Sequence, residues 1–282
     1  MRKRVILSAV FVAALGFSLL RAQEQIARQP GAIYDFDHPN EKSAPAPKRD
    51  LSGIWEPANG PGDAIQATGA KAMPSDGKPQ HAIPLTPLGK QTLDAHKSAW
   101  GVNQVDAAKA NDPVYGCDPQ GFPRIVLHNF RTSQIVQTPN QVLILYEFNK
   151  IWRSIWTDGR PLQKDPDPRF WGYSVGKWID DYTFVAQTVG LDDRTWLDNV
   201  GRPHSDQLRV EERYHRLDRD HLEMSITIDD PKMYTKPWVA LDKLRLRLQP
   251  ASFDITEMQC VPSETAAYEQ EVANPAAVPE KK

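Results

Sequence analysis

The chain has 282 residues, with 34 lysines and arginines against 36 aspartates and glutamates, a formal charge of −2 and 40% apolar residues. That balance leaves no basic surplus for nucleic acid or an anionic membrane surface, and roughly 230 residues of ordinary composition suit one domain with tails. Eight tryptophans, eight tyrosines and nine phenylalanines supply core and also suit a concave binding surface.

Residues 1–22 read as a secretory signal. Arg2, Lys3 and Arg4 precede the sixteen-residue apolar run Val5 to Leu20, which is short of the ~20 a spanning helix needs. The expectation is export to the periplasm or the exterior, with no stable membrane insertion once the signal is cleaved. Cleavage would leave 30 bases against 36 acids, a charge of −6. Residues 23–50 are rich in proline and charge and read as an extended linker. The single domain is expected over 51–262, and 263–282 reads as a flexible tail.

Ser52 to Glu56 has the look of a first strand. A Gly/Pro-rich stretch follows to Pro84, without a clear period. Thr86 then Pro87 is a helix start, cap followed by first-turn proline, leading into LGKQTLDAHKSAW. Leu88, Leu93, His96 and Trp100 fall near one face of that helix.

From Phe122 onward strands are expected at Pro123–Leu127, Gln134–Gln137, Gln141–Phe148, Ile151–Trp156, Gly172–Ile179, Tyr182–Val189, Leu208–Leu217, Leu222–Ile228 and Val239–Leu248. The hairpin 208–228 is the clearest: Leu208, Val210 and Tyr214 alternate with Arg209, Glu211 and Arg213, and Leu222, Met224, Ile226 and Ile228 alternate with Glu223, Ser225 and Thr227. One apolar and one wet face is the pattern of an antiparallel sheet. The fold class is therefore mainly β, an antiparallel meander closing into a barrel with one short helix and long loops, because an open meander of this length would leave unpaired edges. A β-sandwich is the alternative. Gly53-Ile54-Trp55 resembles the start of lipocalin-like barrels.

Between two of these strands lies GLDDRTWLDNVGRPHSDQL, residues 190–208, with four aspartates, two arginines, a histidine and a tryptophan. A loop of that length usually binds or covers something. Asp192, Asp198 and Asp206 are acids that a folded loop could gather, and His204 stands two residues from Asp206. Arg194 and Arg202 can clamp an anion or neutralise the aspartates, and Trp196 needs something to pack on. As an acid–base site, His204 would be the base or acid, Asp206 or Asp198 its partner, and Arg194 or Arg202 the stabiliser of a developing anion.

Two further groups are candidates to line the same hollow. Tyr115, Arg124 and His128 lie in or just beyond NDPVYGCDPQGFPR, and Trp152 shares strand parity with Trp156. Cys117 and Cys260 can pair in an oxidising compartment, the other reading of Cys117 being a reactive thiol. The chain has no HExxH, CxxC, His-x-His or calcium-loop pattern, no phosphate-cradling glycine loop and no G-x-S-x-G elbow. No metal and no organic cofactor is expected.

The blocks NDPVYGCDPQGFPR, WTDGR, GYSVGKW, DDRTWLD, GRPHSD and TIDDPKMYTKPW make residues 51–238 similar to a large group of exported bacterial proteins. The resemblance implies export, one β-rich domain and a loop 190–208 that belongs to the group's identity. It implies no substrate. The leading expectation is an exported barrel that binds a small amphipathic or aromatic molecule at its mouth. The alternatives are a cofactor-independent hydrolase, lyase or isomerase working by His/Asp chemistry, and a structural envelope protein.

Overall fold

Antiparallel neighbours joined by short turns build most of the sheet, as the alternation dictates. The strands are β1 Gly53–Pro57, β2 Ser133–Gln137, β3 Gln141–Tyr146, β4 Trp152–Trp156, β5 Tyr173–Trp178, β6 Thr183–Val189, β7 Arg209–Arg216, β8 His221–Asp229 and β9 Trp238–Leu248. They pair in sequence order, and β1 also pairs with β9, so the sheet closes into a nine-strand barrel. The computed structural model describes residues 28–63, 65–128 and 130–277; the expected signal segment lies outside them. Among the described residues no helix is long and apolar enough to cross a membrane.

Three expectations need correction. The meander is not antiparallel throughout: β4 and β5 run parallel, Ile155 opposite Ser174 and Trp156 opposite Val175. Parallel neighbours need a long crossover, and residues 157–172 provide one. Next, Arg124–Leu127 is a short helix (α2) and not a strand, with all four residues buried. A short run buried on every side carries no period to tell helix from strand. The third concerns the helix after Thr86. Helix α1, Pro87–Ala95, is capped as expected, Thr86 Oγ1 accepting from Gly89 N at 3.0 Å, but it stops at Ala95. Leu88 and Trp100 are exposed. His96 leaves the helix to stack on Trp196, ring centroids 4.6 Å apart.

Inside the barrel, Trp55, Ile155, Phe184, Tyr214, Met224, Ile226, Leu244 and Leu246 belong to one buried cluster. An ion pair lies buried with them. Arg153 of β4 donates to both Glu212 oxygens, to Ser174 Oγ (3.2 Å) and to Thr188 Oγ1 (3.0 Å). Tyr214 OH donates to Glu212 at 2.7 Å, and the Phe122 ring covers the guanidinium at 3.8 Å. The neighbouring carboxylate holds Arg153 well above the ordinary arginine range despite burial, and desolvation raises Tyr146 to about 12. Each charge is surrounded by partners, the condition under which a buried pair is tolerated.

Both flanking segments are tied down. In the segment read as a linker, Tyr34 is fully buried and Asp35 accepts from His221 and from Arg247, each at 2.9 Å. At the other end Cys117 and Cys260 form a disulfide, Cα atoms 5.6 Å apart. Past it, the tail carries an exposed helix, α3, Pro262–Tyr268.

Removing one member of the interior pair strands the other charge, which costs roughly 3–5 kcal/mol. Glu212→Gln should therefore lower urea-unfolding stability by about that amount, and Arg153→Met/Glu212→Leu together should cost less than the two single changes summed. A Glu212→Gln protein within about 1 kcal/mol of wild type would show that the pair does not organise the interior.

Candidate functional site

Loop 190–208 is held by its own polar groups. Asp198 is fully buried and accepts four hydrogen bonds: Oδ2 from Ala70 N (3.0 Å) and Arg202 Nη1 (3.2 Å), Oδ1 from Val200 N (3.2 Å) and Arg202 N (3.3 Å). Gly201 sits at φ +84°, where its missing Cβ would stand 3.0 Å from His96 Cβ. Its carbonyl pairs with His96 Nδ1 at 2.7 Å, so that nitrogen carries the proton. Asp230 accepts from Ser205 N and Oγ at 2.6 and 2.8 Å, and Tyr234 OH donates to the Pro203 carbonyl at 2.7 Å.

Asp192, Asp198, Asp206 and His204 do not converge. Asp192 binds the exposed Arg194 at 2.6 Å, Asp206 binds Lys232 at 2.6 Å at the surface, and Asp198 is spent on the loop. His204 is buried with Nε2 on Thr195 Oγ1 (2.8 Å) and Nδ1 facing the Ser205 carbonyl (3.3 Å). Desolvation pushes its pKa down, against the pull of that carbonyl and of Asp230. Both nitrogens being engaged, His204 is a strut of the loop rather than an accessible base. Trp152 is 62% exposed and is not among the residues lining the cleft beside the loop.

Other expected residues do meet. Arg124 makes a buried two-armed pair with Asp112, at 2.7 and 2.5 Å, and its guanidinium lies 5.6 Å from the Trp196 ring centre. Trp196 is 3% exposed, stacked on His96 and close to the Arg124 guanidinium. His128 packs edge-on to Trp100 at 6.2 Å, and Tyr115 borders the same group while remaining partly exposed. These contacts pack the loop's Trp196 and the expected Arg124 and His128 together as one group.

The opening lies beside the loop. A cleft of about 520 Å³ separates Val200 and Arg202 from the segment 74–105, with Ile83, Leu93, His96 and Trp100 along its walls. Arg202 enters this wall with its guanidinium 5.4 Å from the Trp238 ring. Ile83 lies in the Gly/Pro-rich stretch that shows no period, and Leu93 reads in the sequence only as a residue of the predicted helix face. His96 and Trp100 did show as one face of the predicted helix. Compared with family models, with curated proteins and with solved structures, the chain matches none.

Burial pushes His128 down to about 4, aided by the nearby Arg124 charge. An unfolded histidine keeps a pKa near 6.5, so below that pH the unfolded chain binds a proton the folded one refuses. The stability is fully present above about pH 6.5 and drains away as pH falls toward 4; His96 and His204, also lowered, act with the same sign. His128→Phe should reduce the stability lost between pH 7 and 5 by about 1–2 kcal/mol in urea titrations. An unchanged pH slope would mean that His128 is solvated in the native protein.

Proposed function

We propose that this protein is exported to the periplasm or beyond and binds a small amphipathic or aromatic molecule in the cleft between loop 190–208 and the segment 74–105. The observation that carries the reading is the cleft itself. Its volume of about 520 Å³ falls within the roughly 300–1,000 Å³ of small-molecule sites. Its walls combine aliphatic side chains with Trp100 and a few placed polar groups, His96 and Arg202 among them, which is the composition such sites share. Arg202 and His96 are both fixed by partners in the loop, so the wall is formed before a ligand arrives.

Two tryptophans report on this wall, Trp100 directly and Trp196 through its stack on His96. A panel of aromatic acids, acyl chains and neutral aromatics should include members that change tryptophan fluorescence with micromolar midpoints and raise the melting temperature. Val102→Glu places a charge at an already exposed position of the wall, so it should weaken those midpoints at least about tenfold while leaving the fold intact. If no panel member moves either signal, the cleft is not a binding site.

A further inference from the structure

We infer that the molecule taken by this cleft carries a carboxylate, read by Arg202 and Lys97, on an apolar body that rests against Leu93, Val105 and Val200. The inference rests on the binding reading above and names its ligand class. It comes from the bookkeeping of charge along the wall. Lys78, Lys97 and Arg202 line the cleft, and the acid there, Asp94, is held by Lys90 at 2.6 Å. Lys78 in turn lies 3.2 Å from Asp76. Among the described residues Lys97 has no carboxylate within ion-pair distance.

Arg202 is the more telling group. Its side chain is 3% exposed, and its hydrogen bond runs from Nη1 to Asp198 at 3.2 Å. Among the described residues Nε and Nη2 have no protein acceptor, although other buried arginines such as Arg153 are satisfied on several nitrogens. A guanidinium presents its donors as a planar fork that matches a carboxylate in two parallel bonds. Asp198 takes one corner of that fork and leaves the Nε–Nη2 edge unspent, on a residue that lines the cleft. A cationic ligand would meet Lys97 and Arg202 with like charge. A neutral one would leave the donors unmatched, which is costly in a partly desolvated site.

Three probes of one shape separate the possibilities: 2-naphthoate, 2-naphthamide and 2-naphthyl phosphate, each titrated by calorimetry against the intact protein. Naphthoate should bind at least about tenfold tighter than naphthamide, and raising salt from about 0.05 to 0.5 M should weaken naphthoate and leave naphthamide unmoved. Lys97→Met, a surface change, should cost naphthoate about three- to tenfold and leave naphthamide unmoved. Arg202→Lys keeps a cation beside Asp198 and loses the fork, so it should cost naphthoate more than naphthamide. Equal binding of naphthoate and naphthamide overturns the carboxylate and leaves the binding site standing, as does a neutral aromatic that binds when naphthoate does not. Tighter binding of the phosphate also overturns it, in favour of a phosphomonoester. Failure of all three together with the wider panel brings down the site as well.

Discussion

Asp198 is the interaction on which the functional face depends. A carboxylate removed from water survives only when donors replace the hydration it has lost. This one receives donors from Ala70, Val200 and Arg202, so it joins the loop to the segment that faces it. The same contacts settle where Val200 and Arg202 stand, and those two residues form one side of the cleft. The acid that looks catalytic in the sequence is the one that makes the loop a wall.

The barrel obeys a parallel rule. Arg153 and Glu212 sit among apolar side chains because Ser174, Thr188 and Tyr214 complete their hydrogen bonds and Phe122 closes over the guanidinium. Phe122 comes from the segment that continues into helix α2, so the polar interior and that buried helix are packed together. Among the described residues the barrel interior holds this satisfied ion pair within its apolar cluster, and the cleft beside the loop is lined by the segment 74–105 and the loop.

Much of the sheet was legible because each strand has a wet and a dry face. Leu208, Val210 and Tyr214 point inward as their alternation requires. Glu212 shares that inward parity, but nothing in the period of β7 announces its partner Arg153 on β4. Strand direction is not encoded in a period of two, so the parallel β4–β5 pairing could not be read. The site was legible as a region and illegible as chemistry. Residue type suggested that His204 and Asp206 work together, but Thr195 Oγ1 and Lys232 claim them separately. Ile83 of the cleft comes from a stretch that carries no period of its own, and the chain beyond α1 takes its form from its neighbours. His96 illustrates this: helix propensity would carry it onward, and the Trp196 ring with the Gly201 carbonyl turns it aside.

The bond between Cys117 and Cys260 spans 143 residues, and β2 through β9 all lie within that span. The covalent circle thus encloses eight staves and leaves β1 as the ninth, which inserts between β2 and β9 from outside. A denatured chain keeps the circle, so the edges that β1 must bridge never drift fully apart. The barrel is in effect a hoop with a clasp around eight slats, and the ninth slat comes from the chain that lies ahead of the clasp.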